Sequence, residues 1–175
     1  DNTDGAGIVR DLTANLDVTL ADRDILLLGA GGAARGALVP LFAQHPRSVT
    51  IANRTLAKAE ALAERFAARG ALVAVPPEAL AGRQFDVVIN ATSAGLAQDV
   101  TLPWPAHLFR PRAFAYDMIY ADRPTPFFRW AREQGAARAA DGLGMLVEQA
   151  AESFLLWRGV RPDTRPVFAL LRPGA

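Results

Sequence analysis

Cysteine is absent from this 175-residue chain, and histidine occurs only at His45 and His107. These absences exclude a disulfide scaffold, a thiol nucleophile and a Cys/His zinc site, so no metal centre is expected. An excess of charge of either sign is missing too. Nineteen Lys and Arg against 18 Asp and Glu leave a net charge of +1, without the strongly basic face that nucleic acid demands. A bilayer span needs about 20 consecutive apolar residues, and the chain has no such run, so no membrane insertion is expected. The chain opens on polar Asp1-Asn2-Thr3-Asp4 rather than on a signal peptide, and a cytoplasmic location is expected. It lacks an initiator Met and reads as a piece of a longer protein.

What is present is a 51% hydrophobic, 21% charged composition, that of a globular domain with a sizeable core. Apolar runs at Asp24–Gly29, Ser48–Ala52, Ala71–Val75, Phe85–Asn90, Ala113–Met118 and, weakly, Ala137–Ala140 read as strands. They are continuous rather than alternating, as in a parallel sheet buried on both faces. Helical patterns fall between them at Gly32–Gln44, Leu56–Arg69, a short Pro77–Leu80 and Pro126–Gln134. Strand alternating with helix predicts an α/β fold with a doubly wound, mainly parallel six-stranded sheet, in the order 3-2-1-4-5-6. Further helices are predicted at Gly5–Leu16, Leu143–Trp157 and Arg165–Leu171. They flank this core, and one domain with flanking helices is the organisation expected.

The segment Asp24-Ile25-Leu26-Leu27-Leu28 runs into Gly29-Ala30-Gly31-Gly32-Ala33-Ala34 at a strand-to-helix junction. Gly29 permits a tight turn, Gly31 lets backbone approach a pyrophosphate, and Ala34 lets the helix pack close to the strand. The helix N-terminus then offers free N–H groups and the positive end of its dipole. A lone glycine motif is weak, but strand before and helix after is the context that makes it a dinucleotide cradle of the Rossmann type. The next strand selects the cofactor. NAD enzymes carry an acidic residue at its end, whereas here stand Asn53-Arg54-Thr55, with Lys58 one turn on. Arg54 and Lys58 suit a 2′-phosphate, which favours NADP; Thr55 is also placed to cap the helix that follows.

Seven segments taken together resemble the shikimate dehydrogenases, NADP-dependent reductases of aromatic amino acid biosynthesis. They are DNTDG (Asp1–Gly5), GAGGAARG (Gly29–Gly36), NRT (Asn53–Thr55), INATSAG (Ile89–Gly95), YDMIY (Tyr116–Tyr120), TPF (Thr125–Phe127) and DGLGMLVEQAAESFLLW (Asp141–Trp157). Quinate/shikimate dehydrogenases share the pattern, which leaves substrate breadth open. The resemblance implies reduction of 3-dehydroshikimate to shikimate. It also implies an N-terminal substrate domain, carrying a catalytic lysine, that this stretch does not contain. Residues 1–20 and 143–175 are then expected to face that domain, and the chain alone is expected to be inactive.

On the same resemblance Asp4 is the catalytic and substrate-binding carboxylate, beside the lysine of the absent domain. Taken alone, Asn2, Thr3 and Asp4 read as a helix cap, and the DNTDG match reverses that preference. Thr92 and Ser93 line the cofactor path by resemblance; by spacing they are a Ser/Thr turn. Met118, Gly142 and Met145 are implied at the nicotinamide end, and Tyr120 and Gln149 at the substrate. Without the resemblance, Tyr120 reads as half-buried packing, Met145 as core filler and Gln149 as a solvated helix position. Met145, Gln149 and Ser153 fall at i, i+4 and i+8 and share one helix face. Asp117 and Glu148 receive no role, and both histidines read as surface residues. Two rival readings are a nucleotide-binding module without catalysis and another two-domain NADP enzyme, such as a methylene-tetrahydrofolate dehydrogenase.

Overall fold

The computed structural model describes residues 2–93 and 102–171; Asp1, with Ala94 and Gly95 of the INATSAG segment, lies outside the described residues. Among these described residues six strands form one sheet: β1 (Asp24–Leu28), β2 (Ser48–Ala52), β3 (Leu72–Val75), β4 (Phe85–Asn90), β5 (Phe109–Asp117) and β6 (Arg138–Ala140). All neighbouring pairs are parallel, in the order β3-β2-β1-β4-β5-β6. The predicted winding and its reversal after the third strand are therefore present, and the crevice expected at such a reversal lies between β1 and β4.

Among the described residues six α-helices accompany the sheet: α1 (Asp4–Arg10), α2 (Gly32–Phe42), α3 (Leu56–Phe66), α4 (Pro126–Glu133), α5 (Leu143–Arg158) and α6 (Arg165–Leu171). Side chains alternate across each strand, so β1 feeds two apolar layers. Ile25 and Leu27 pack in one layer with Ile8 and Leu12, Leu38 and Leu41 of α2, and Leu62 of α3. Leu26 and Leu28 pack in the other with Leu80, Trp104, Leu108 and Phe127 of α4. Each such buried side chain contributes roughly 1.5–3 kcal/mol.

Two elements depart from their expected form. β5 starts at Phe109, not Ala113, because its pairing with β4 shifts register between Phe85 and Val87. Pro111 and the left-handed Arg112 (φ 68°) sit in that irregularity and look like turn residues in sequence. The first helix begins at Asp4, one residue before Gly5, and changes at Asp11–Asn15 to a π-turn that the 3.6-residue period cannot reveal. At the end of the sheet away from the crevice, Arg110 ties two strand carboxylates together. Its guanidinium lies 2.6 Å from Asp24 and 2.8 Å from Asp86.

Candidate functional site

The glycine loop forms the floor of a cleft of about 850 Å³ at the carboxyl ends of the strands. Gly29 has φ 100°, a conformation that favours glycine, and a Cβ there would stand 2.9 Å from Thr92 Cγ2 and 3.1 Å from the Ala91 carbonyl oxygen. Gly31 and Gly32 differ: among the described residues a Cβ on either would meet nothing within 4 Å, because both face the open cleft. Gly31 is the extended N-cap of α2 and no side chain caps that helix, so its first-turn N–H groups are free for a ligand. Gly29, Ala30, Gly31, Gly32 and Ala33 all line the cleft. A backbone cradle with space where side chains would be, at a helix N-terminus, fits a pyrophosphate.

Asn53, Arg54, Thr55 and Lys58 line the same cleft, and no carboxylate does so among the described residues. Arg54 and Lys58 are exposed, which suits an anionic ligand coming from solvent. Thr55 stands at the N-cap of α3 without a capping bond from its side chain; instead Asn53 Nδ2 donates to the Thr55 carbonyl at 2.8 Å. The expected Thr55 cap is therefore absent. Thr92, Ser93 and Met118 complete the wall beyond β4 and β5, together with Pro103 and Trp104, which no motif had singled out.

Asp117, left without a role by the sequence, organises this wall. Asn90 and Asp117 are fully buried, and Asn90 Nδ2 donates to Asp117 Oδ1 at 3.0 Å. Thr92 donates from Oγ1 to Asn90 Oδ1 at 2.7 Å, and Thr125 from Oγ1 to Asp117 Oδ2 at 2.5 Å. Thr125 also accepts from Phe128 N, capping α4. One carboxylate thus joins the loops after β4 and β5 to the start of α4. Burial pushes the Asp117 carboxyl above its ordinary range, against the bonds from Thr125, Ile119 and Asn90. The available signal was an aspartate ending an apolar strand, since a buried carboxylate must find donors.

The remaining predicted residues lie outside the lining of the cleft. Gly142 packs on the backbone of Met118, where a Cβ would collide with the Met118 carbonyl oxygen. Met145 is buried in the α2-side layer, as a core residue is. Asp4 is half-buried on the first turn of α1, and Asn2 Oδ1, not Thr3, accepts a bond from its N–H at 2.9 Å. Thr3 instead reaches α5, bonding Gln149 Oε1 at 3.2 Å and Ser153 Oγ at 3.0 Å. This joins the DNTDG segment to the predicted face of α5 and leaves Gln149 Nε2 to donate elsewhere. Tyr120 is 53% exposed at the loop after β5.

Behind that face lies a second buried polar knot. The Tyr116 hydroxyl donates to Asp11 Oδ2 at 2.7 Å and accepts from Met145 N at 3.2 Å. Burial raises the Asp11 carboxyl, although bonds from Tyr116 and Asn15 oppose the shift. Glu148, 1% exposed, holds Arg161 at 2.6 Å, Arg10 at 3.2 Å and the Thr164 hydroxyl at 2.8 Å. Burial by itself would raise its carboxyl. Bonds from Asn15, Thr164 and Arg161 reverse that and hold it below its usual range. Both histidines are exposed, as expected.

The family model described as Shikimate / quinate 5-dehydrogenase matches residues 11–98, and that of the Shikimate 5'-dehydrogenase C-terminal domain matches residues 142–171. A shikimate dehydrogenase (NADP(+)) of Alkalilimnicola ehrlichii is 61% identical over 99% of this chain, which covers 63% of that relative. Among solved structures, an Ael1 enzyme from Pseudomonas putida is 52% identical with a TM-score of 0.89, matching 97% of this chain and 62% of its own. The shikimate 5-dehydrogenase of Thermus thermophilus, in complex with NADP(H) and shikimate, is 37% identical with a TM-score of 0.79, matching 94% of this chain and 59% of its own. The chain therefore spans somewhat under two thirds of the curated relative it matches.

Proposed function

The chain belongs to the shikimate / quinate 5-dehydrogenase family, and from that premise we propose that it is the NADP-binding part of an oxidoreductase reducing 3-dehydroshikimate to shikimate. The observation that carries this reading is the lining of the cleft. An uncapped helix N-terminus with open glycines stands beside Arg54 and Lys58, with no carboxylate among the described lining residues. When bound, NADPH supplies the hydride.

In this reading Gly29 to Ala33 hold the pyrophosphate through backbone N–H groups. Asn53, Arg54, Thr55 and Lys58 hold the adenosine end, with Arg54 and Lys58 on the 2′-phosphate. Thr92, Ser93 and Met118 line the path of the dinucleotide, while Gly142 and Met145 fix the backing of its nicotinamide end. Asp4 holds a proton at the substrate oxygen together with a lysine from a substrate domain. Tyr120 and Gln149 bind the substrate.

Residues 1–20 and 143–175 pack against that domain in the same proposal. Apolar side chains exposed on α5 and α6, such as Phe154, Leu156, Trp157 and Leu170, support the placement. No helix among the described residues is long and apolar enough to cross a membrane, and a cytoplasmic location belongs to the same proposal. The matching family description names quinate beside shikimate, so both substrates belong in the assay.

Calorimetry with NADP⁺ and NAD⁺ tests the cofactor, and tighter NAD⁺ binding would overturn it. Turnover of shikimate and quinate is then measured for the chain alone and with an N-terminal substrate domain from a relative. Activity is expected only in the second case and is expected to vanish with Asp4→Asn. Robust turnover by the chain alone would refute the need for a second domain. Unchanged turnover in Asp4→Asn would refute the role of Asp4.

A further inference from the structure

Trp104 stands between Pro103 and Pro105 in the segment that leads into β5. It is 8% exposed and packs in the apolar layer on the sheet face opposite α2. The same residue lines the cleft that the glycine cradle floors. Its Nε1 is shut off from water and has no hydrogen-bond partner among the described residues. Native interiors pair nearly all such donors, and an exception calls for a partner to be supplied. A residue serving only as core filler needs no N–H here, because Phe or Leu buries its area without an orphaned donor. The flanking prolines fix their own φ, and Pro105 disfavours helical backbone at Trp104, so the backbone that carries the ring has few conformations open to it.

We propose that Trp104 is a cofactor-contact residue. The bound dinucleotide lies between the N-terminus of α2 and the indole, and an acceptor atom of the dinucleotide takes the indole N–H. Trp104 already lines the cleft, so a turn of the indole that brings its buried Nε1 to the cleft makes the contact. The inference rests on the NADP reading above, since the acceptor comes from the ligand of that cleft.

The test uses the chain with ¹⁵N-labelled tryptophan, titrated with NADP⁺ while calorimetry is run in parallel. Three indole signals are expected, from Trp104, Trp130 and Trp157, and Trp130→Phe and Trp157→Phe assign the third by elimination. The Trp104 N–H signal is expected to shift on saturation, with the signal of the 80% exposed Trp157 unmoved. Trp104→Phe is expected to weaken NADP⁺ binding about fivefold, the usual weight of one neutral hydrogen bond. Absence of binding heat in the unaltered chain means that the NADP reading itself fails. Binding heat with an unmoved Trp104 signal overturns the contact and leaves that reading standing. The indole spectrum of the unaltered chain decides even where Trp104→Phe does not fold.

Discussion

The cradle and the seam between α1 and α5 use glycine in opposite ways. Gly31 and Gly32 leave room that no neighbouring element among the described residues fills within 4 Å of where a Cβ would be. Gly7 and Gly144 leave room that the chain itself takes up. A Cβ on Gly7 would stand 2.8 Å from both Gln149 Cβ and the Met145 carbonyl oxygen, and one on Gly144 would run into the Asp11 carboxylate. Gly31 and Gly32 are exposed, whereas the seam is a network in which Asp11, Tyr116 and Glu148 are buried and Arg161 is half-buried. The lesson is that identical residues in one chain serve binding where their space is empty and stability where it is full.

The sharpest way to break this contrast is Gly144→Ala. Asp11 is held by Tyr116 and Asn15 and cannot yield, so overpacking against a buried carboxylate is expected to cost about 3 kcal/mol or more in urea unfolding. A loss below about 1 kcal/mol would mean that the seam is looser than its geometry. Glu148→Ala comes next, at about 3 kcal/mol, because two arginines and two hydroxyl or amide donors lose a buried partner. Neither seam variant that still folds is expected to change the 2′-phosphate preference measured by calorimetry.

The cradle is expected to answer the other way. Arg54→Ala should weaken NADP⁺ binding by about 2 kcal/mol, the weight of a charge-assisted bond, and leave NAD⁺ binding as it was. Gly31→Ala should weaken dinucleotide binding at least tenfold, or about 1.4 kcal/mol, by blocking close backbone approach. Its unfolding midpoint should barely move, since its φ of −88° suits alanine. A large loss of stability in Gly31→Ala would erase the distinction between the two regions.

The smallest expected effect is on pH dependence. The Glu148 carboxyl is held below its ordinary value of 4.5 in the fold. Its contribution is therefore complete above that value and is lost as pH falls through the lowered folded pKa. Asp11 and Asp117 are raised above 3.8 and act in the opposite sense: their contributions are present below that value and are lost as pH rises through their folded pKa values. Denaturant midpoints followed from neutral pH into acid should fall less steeply in Glu148→Gln than in the unaltered chain.

Much of this was legible in sequence because it depends on local chemistry. Continuous apolar runs marked the parallel strands, and Gly29 to Ala34 marked the turn into α2, since backbone conformation and close approach are written in single residues. The start of β5 was hidden by Pro111 and Arg112, and the π-turn at Asp11 by a period that assumes regular helix. Asp117 and Glu148 received no role because their partners are remote in sequence: Asn90 lies 27 residues away from Asp117, and Asn15 lies 133 from Glu148. Thr3 shows the same limit, since spacing offered a cap and the fold gave it Gln149.

By itself, then, the sequence determined the sheet order, the cradle and the cationic strand end that follows it, because each is set by neighbours within one βαβ unit. Only the tertiary structure decided which glycines are empty and which are filled, and which carboxylates are buried. It also decided that Trp104 stands on the cleft wall with an N–H that has no partner among the described residues. The physical reason is that space, burial and hydrogen-bond satisfaction are properties of segments distant in the chain, and no local pattern encodes them.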